Sequence, residues 1–520
     1  MSATPSAQAA HGQPKPSMRA MAGLLGIFLA AMMAGLNNRV GVLALADLRG
    51  ALGAGFDGGS WLTTAYSAGE LIAMPFAAWF AITLSVRRFE LWMLGTCTTL
   101  ALVLPAVQDL HLLLALRFLQ GLASGTTIPL LMMAALKFLP PPIRLYGLAL
   151  YAMTATFAPN LSIWLAGLWT DALFDWRWVY WQIIPLAVIA AALVGWGLHR
   201  EPVDAGRFRQ ANWFGMACGV PAFGLIAVAL DQGVRLDWFN SPLVTFALAA
   251  GVILLVVYLL TEWYHPMPFI KLQVLGRRNL VLGFTLFVFL LVVLLSGSLL
   301  PAGYLAPIQD YRPAQMASIG LIVALPQLVL GFAVALLLYR KWVDARMVFS
   351  AGLVLIALAC LAGAQLTVTW NREQFVLAQA LQAVGQPMAV VSMLFLITSV
   401  VQPHEGPYVS GAINTLRALG SVLGAAVVGQ LLTVRGRFHA EMLLGQAALV
   451  GNYVPDSLEP GQLMRIVSQQ SLVLSSADAY RVLGVLALLL IPIVLRLNYI
   501  PPPDLRPVSR PSTVPSSIQG

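Results

Sequence analysis

The sequence predicts an all-α, polytopic membrane protein of about 14 transmembrane helices, and three observations carry that prediction. The 520 residues are 59% hydrophobic and only 10% charged, with a mean hydropathy of +0.81. Soluble domains run at about 45–50% apolar and about 25% charged. Apolar stretches long enough to cross a ~30 Å hydrocarbon core recur along the whole chain. Most basic residues sit in short connections beside those stretches, so the net charge of +9 reads as topology and not as a nucleic-acid surface.

The elements run in order along the chain. Residues 1–18 are polar and rich in Pro, Ala and Ser, which predicts a disordered cytoplasmic tail. The apolar run behind it lacks a small-residue cleavage pattern and leads into further runs, so it is a retained first helix and not a signal peptide. By the length rule the spans are 20–44, 60–83, 90–107, 111–137, 143–168, 178–198, 211–230, 243–261, 280–300, 316–339, 347–367, 375–400, 408–432 and 481–497. Residues 498–520, rich in Pro and Ser, are a second disordered cytoplasmic tail. Cys97, Cys218 and Cys360 sit singly inside apolar runs, without metal or disulfide spacing, and are packing residues. No cofactor or metal is implied.

Basic residues orient the bundle. With the N-terminus inside, cytoplasmic segments hold 18 of the 30 Lys and Arg, including every lysine. This predicts two cytoplasmic termini in a plasma (inner) membrane. It leaves residues 436–479, the one long extramembrane loop, on the far side, with a helical and moderately amphipathic look.

Several stretches resemble the fourteen-helix drug:proton antiporter branch (EmrB/QacA type) of the major facilitator superfamily. Span 4 reads LRFLQGLASGTTIPL, similar to that branch's RxxQG motif through Arg117, Gln120 and Gly121. FDWRWVYWQIIPLAV, LDQGVRLDWFNS and HPMPFIKLQVLGRRNL resemble further motifs of the branch, the last through Arg278 and Asn279. SGAINTLRALGSVLGAAV in span 13 resembles its N-x-x-R-x-x-G-x-x-G pattern through Asn414, Arg417, Gly420 and Gly424. The resemblance implies two six-helix bundles, residues 19–200 and 263–497, with an inserted helix pair at 201–262, and a substrate site near the midplane between the halves. It also implies gating loops, at Arg87 and Arg88 in ITLSVRRFELW and at Asp344 and Arg346 in RKWVDARM.

The chain departs from the branch at three places. Span 1 has Asn37 where the branch usually carries an aspartate, and Arg39 where it carries a threonine. The span 5 antiporter motif appears as TFAPNLSIWLAG, keeping Pro159 and Gly167 but few other glycines. The first gating loop lacks its acidic member and its glycine.

Charges within spans carry the functional reading. Of the 21 acidic residues only Glu70 falls deep in an apolar run, ten residues after Ser60 and so about 15 Å along the helix. Burial favours the neutral form of such a carboxyl and a neighbouring cation its charged form, so Glu70 is the proton-coupling candidate; a static ion pair or a helix-to-helix hydrogen bond is the bland reading. Arg39, on the antiparallel neighbouring span, either meets Glu70 or faces the substrate. Arg117, at a motif position that the family ties to proton coupling, and Arg417 are further buried cations. Three arginines against one carboxylate predict an electropositive cavity that favours anionic or neutral amphiphiles over cationic dyes. Asn37, Asn38, Arg39, Tyr66, Gln120, Asn414 and Arg417 are the cavity candidates, with Trp61, Met153, Phe157, Tyr304, Gln327 and Gln382 as further wall residues. For each aromatic, plain packing is the simpler role.

The function expected is proton-driven export of amphiphilic small molecules. No Gly-rich phosphate loop is present to support direct use of ATP, and the buried carboxylate stands without the clustered groups an enzyme needs. Uptake or facilitated exchange of anionic solutes, and a non-transporting sensor or assembly component, are the alternatives. Besides substrate, protons and lipid, the far-side loop offers a surface for a periplasmic membrane-fusion adaptor and its outer-membrane channel, or simply caps the bundle.

Overall fold

The computed structural model describes residues 18–139, 143–449 and 460–502. The expected tails lie outside it, except for 18 and 498–502. Among the described residues there are helices and no strands. Fourteen of the helices in the described residues are long and apolar enough to cross a membrane. They are α1 (Met18–Leu43), α2 (Phe56–Leu84), α3 (Val86–Ala106), α4 (Leu110–Phe138), α5 (Arg144–Ala172), α6 (Trp178–Gly197) and α7 (Trp213–Gly233). The remainder are α8 (Pro242–Tyr264), α9 (Arg278–Gln309), α10 (Pro313–Leu338), α11 (Ala345–Gly363), α12 (Val376–Thr398), α13 (Gly406–Leu449) and α14 (Pro460–Leu495). The near end of the bundle is where α1 begins and the far end is where it finishes.

Helix packing repeats with an offset of eight. In the first half α1 packs on α5 and α6, α2 on α4, and α3 on α4 and α6. In the second half α9 packs on α13 and α14, α10 on α12, and α11 on α12 and α14. The intervening pair α7 and α8 pack on each other, and α7 lies against α2 and α13. The halves meet where α5 packs on α10 and α12, and where α13 packs on α2 and α4. Such crossings bring backbones close, which is how membrane helices gain contact energy without a hydrophobic drive. A Cβ on Gly121 would lie 2.2 Å from the Tyr66 carbonyl oxygen, and one on Gly320 equally close, 2.2 Å, to that of Asn160. Gly121 of the RxxQG stretch thus serves the α2–α4 crossing.

The far-side segment at 436–479, helical in look from its sequence, is helix in its described parts, but as a continuation of two spans and not as a separate loop. Its residues 436–449 and 460–479 continue α13 and α14 as helix, and 450–459 lie outside the described residues. Hydropathy marks only the apolar part of a helix, so polar extensions beyond the bilayer were invisible to the length rule. The 44 residues of α13 extend about 66 Å, twice the ~30 Å core. Asp478 ties the two extensions together, accepting from Arg435 Nε at 2.7 Å and meeting His439 Nε2 at 2.8 Å.

Candidate functional site

A cavity of about 250 Å³ lies between the halves. Helical spacing explains its walls: residues three or four apart share a face. From α1 it takes Gly35, Asn38, Arg39 and Val42, and from α2 Thr63, Ser67, Glu70 and Met74. Thr154, Ala155, Pro159 and Asn160 of α5, and Leu291, Leu294, Leu295, Ser298 and Leu299 of α9, form two more sides. Ile128 of α4, Asp231 of α7, Gln386 of α12, and Arg417, Ala418, Ser421, Val422 and Ala425 of α13 complete it. At the near end the halves close below it. The Ser410 hydroxyl donates to the Pro129 carbonyl (2.6 Å) and Tyr151 Oη to Asn414 Oδ1 (2.9 Å). At the far rim Arg312, from the α9–α10 connection, clamps Asp47 (2.9 Å) and Asp171 (2.6 Å) of the first half.

Glu70 meets an amide. Asn38 Nδ2 donates to Glu70 Oε2 at 3.0 Å. Arg39 instead sends Nη2 across to Ser421 Oγ at 3.1 Å, and no ion pair joins it to Glu70 among the described residues. Arg417 reaches Thr154 Oγ1 and lies 5.3 Å from the centre of the Tyr151 ring. Both arginines nevertheless share the cavity wall with Glu70. Each is anchored to the other half by one neutral hydroxyl, leaving further donors of each guanidinium for a ligand.

Arg117 is elsewhere. It is buried between α1, α2 and α6, with Nη1 donating to Gln120 Oε1 at 2.6 Å. Its guanidinium stacks 4.6 Å from the Tyr66 ring and 5.4 Å from that of Tyr180, a cation–π arrangement that offsets desolvation. Tyr66 Oη donates to Ser124 Oγ (2.6 Å) and accepts from Asn37 Nδ2 (3.4 Å). Asn37, Tyr66, Gln120 and Asn414 therefore lie off the cavity wall between packed helices: Gln120 bonds Arg117, Asn414 bonds Tyr151 and the Ser410 carbonyl, and Tyr66 bonds Ser124 and Asn37. So do Tyr304, whose hydroxyl bonds the Thr367 carbonyl, and Gln327 and Gln382. Trp61, Met153 and Phe157 are also absent from the lining. A polar or aromatic residue in a span looks the same in sequence whether it faces a cavity or a neighbouring helix.

The expected electropositive balance is corrected by two placements: Arg117 lies outside the cavity and Asp231 inside it. Two arginines, Arg39 and Arg417, then face two carboxyls, Glu70 and Asp231. Asp231, which ends an apolar run and reads as a loop residue, accepts from Thr64 Oγ1 on α2. Glu90 and Glu262 are buried as well, Glu262 bonded to Asn212 Nδ2 and the Ile270 amide.

The gating-loop candidates divide. Arg87 donates to the Leu198 carbonyl at 3.4 Å, and Arg88 is solvent-exposed. Asp344 caps α11 by accepting from the Arg346 amide (2.9 Å), and it pairs with the Arg346 guanidinium at 2.7 Å. Sequence reasoning missed a second near-end pair. Arg277, which precedes Arg278 and Asn279 in HPMPFIKLQVLGRRNL, holds Glu405 with two bonds of 2.7 and 2.9 Å.

A bundle of fourteen spanning helices in two like-packed halves around a charged central cavity defines a membrane transporter. The chain belongs to the Major Facilitator Superfamily, whose profile matches residues 27–325. It is similar to the fatty acid resistance protein FarB of Neisseria gonorrhoeae, 25% identical over 499 residues, covering 90% of this chain and 94% of that protein. The multidrug export protein EmrB of Escherichia coli K12 is 26% identical over 259 residues, 50% of each chain. The colistin resistance protein EmrB of Acinetobacter baumannii is 22% identical over 385 residues, 74% of each. These relatives agree with the drug:proton antiporter branch to which the motifs point. Among solved structures, the human organic anion transporter MFSD10 superposes with a TM-score of 0.55 at 15% identity, covering 92% of this chain and 100% of that one. The proton:xylose symporter XylE gives 0.55 at 12% identity, covering 94% and 99%; both show the fold. The chain is a multi-pass transporter of the inner membrane and not an enzyme.

Proposed function

We propose that this protein exports amphiphilic small molecules driven by the proton gradient, by alternating access between the halves 19–200 and 263–497 with 201–262 as an inserted pair and both termini cytoplasmic. One observation carries the reading. Glu70 shares a cavity between the halves with Arg39 and Arg417 and is held by a neutral amide, not by an ion pair. A carboxyl so placed gains or loses a proton without breaking a salt bridge, and its charge is felt by both arginines. Arg39 and Arg417 supply donors for an anionic or strongly hydrogen-bonding head group. Leu291, Leu294, Leu295 and Leu299 supply the wall for an apolar body. An aromatic acid or a fatty acid fits that division, and resistance to fatty acids is what the name of one relative records. Arg117 acts on coupling indirectly, by holding α2 through Tyr66. The Arg87/Arg88 and Asp344/Arg346 segments gate the near end.

The charge balance favours a second reading, coupled uptake or exchange of anionic solutes. Protonating Glu70 makes the cavity more positive, so a proton there tightens the hold on an anion. Binding of an aromatic carboxylate to the purified protein at a series of pH values separates the two. Affinity that falls as pH falls supports proton-for-substrate export, whereas affinity that rises supports joint transport. A substrate panel in inverted vesicles tests the chemistry itself: good export of ethidium-type cations with no response to aromatic acids would remove the anionic-amphiphile reading.

The far-end extensions of α13 and α14 support a partner. Val434, Phe438 and Met442 recur every fourth residue and are exposed on one face of α13. Docking of a periplasmic membrane-fusion adaptor, itself joined to an outer-membrane channel, gives that face a purpose. Copurification of an adaptor with the wild type, lost on Phe438→Asp, tests it; an adaptor retained by the variant removes this face from the interface.

A further inference from the structure

Asp231 is the acidic residue that neither helix length nor hydropathy places at a site. It stands two residues before the end of α7, on the inserted pair, and turns into the central cavity beside α2. The α7–α2 seam is stitched there: Thr64 donates to Asp231 and accepts from Gln232 Nε2, while Arg235 bonds Gln232 and pairs with Asp57. From this point α2 presents Thr63, Ser67 and Glu70 to the cavity on one face. Thr64 and Glu70 are six residues apart, about 9 Å along the axis. The Ser67 hydroxyl, midway, makes no hydrogen bond among the described residues. The cavity of about 250 Å³ has room for several waters beside this track.

We propose that Asp231 is the far-end proton port of the transporter: it takes a proton from solvent at the mouth and passes it along Ser67 and cavity water to Glu70. The step is a proton transfer only. Asp231 gains a proton from bulk water and gives it to the chain, Glu70 receives one, and Asp231 returns to its carboxylate. The inserted pair thereby brings an acid to the pathway that neither six-helix half supplies. The charged groups facing Asp231 are few. Glu70 comes from α2, Arg39 from α1 and Arg417 from α13, all across the cavity. Arg235, one turn on, is engaged by Asp57 of α2, and Arg437 of α13 lies 3.9 Å from Asp237 instead. The part of α8 that packs beside this end of α7 carries no charged side chain.

The inference rests on Glu70 as the proton site, and the test separates the two. In reconstituted vesicles, gradient-driven flux and gradient-free substrate exchange of an aromatic carboxylate are measured for the wild type, Asp231→Asn, Asp231→Glu, Ser67→Ala and Glu70→Gln, with far-end pH varied. Asparagine keeps an oxygen for Thr64 but carries no titratable proton. The ratio of driven flux to exchange is expected to fall about tenfold in Asp231→Asn, most at alkaline far-end pH, to fall in Ser67→Ala, and to recover in Asp231→Glu. A purely structural Asp231 would lower flux and exchange together, and that result overturns the port. So does a wild-type ratio in Asp231→Asn at every pH while Glu70→Gln is inactive. Full driven flux in Glu70→Gln removes the underlying proton site instead.

Discussion

The side-chain amide of Asn38, and not the neighbouring Arg39 guanidinium, bonds Glu70, at 3.0 Å. Arg39 spans the cavity to Ser421 of the second half. The two adjacent residues thus do separate work: one steadies the carboxyl, the other links the halves and faces the ligand. Asn38→Ala removes a hydrogen bond to an ionisable group, worth about 1.5–3 kcal/mol when buried. Gradient-driven flux in the variant is expected to drop about tenfold or more, while Asn38→Asp fails to restore it because the second carboxyl, when ionised, has no hydrogen to donate and, when protonated, competes with Glu70 for the proton. Wild-type flux in Asn38→Ala would mean that the bond is incidental.

Arg39→Gln keeps a donor for Ser421 and removes the charge. Binding of an aromatic carboxylate is expected to weaken about 10-fold to 100-fold, the worth of a charge-assisted bond, and binding of a neutral amphiphile much less. Calorimetry with an acid and its amide compares them directly. Equal losses for both would place Arg39 in the framework and not in recognition.

Gly121 is a packing residue at the crossing that sets the height of Glu70. A Cβ there would meet the Tyr66 carbonyl oxygen at 2.2 Å, a backbone atom that moves only with its helix. Gly121→Ala is expected to destabilise the bundle by about 1–3 kcal/mol through overpacking, read as a lower melting temperature in detergent. Gly95→Ala, where a Cβ would meet nothing within 4 Å, is the control expected to melt like the wild type.

Outside the spans, Glu405 lends the near end a pH dependence. Burial pushes its carboxyl up, but bonds from Arg277 and the Gln402 amide, with the Arg277 charge, outweigh this and leave it below the usual carboxylate range. A depressed carboxyl contributes stability that is present above the unfolded value, about 4.3, and is lost as pH falls through the folded one. Arg277→Gln should therefore melt below the wild type at pH 7, with the gap closing as pH drops under about 4. A gap that persists at acid pH would assign the effect to the bond from Arg277 to the Val400 carbonyl.

The fold was legible because hydropathy alone separates fourteen spans, and Glu70 was legible by elimination among the acids. What lay hidden depended on direction. Tyr66, Gln120 and Asn414 are polar or aromatic at span depth, yet they face neighbouring helices, and helix rotation is set by packing partners such as Gly121 that one sequence does not pair. Asp231 was hidden because an acid ending an apolar run reads as a loop residue, although α7 runs on to Gly233. The far-end extensions of α13 and α14 read as a helical far-side loop, but their continuity with the spans was not legible because their polar residues carry no membrane signal.

Proton coupling through Glu70 is tested most directly by Glu70→Gln in inverted vesicles, with an imposed proton gradient and an aromatic carboxylate as substrate. Glutamine keeps the shape and can still accept from Asn38, but it carries no titratable proton. Gradient-driven flux is predicted to be lower by about 100-fold or more, in protein that inserts and melts like the wild type. Undiminished gradient-driven flux in that variant would contradict a proton-carrying Glu70.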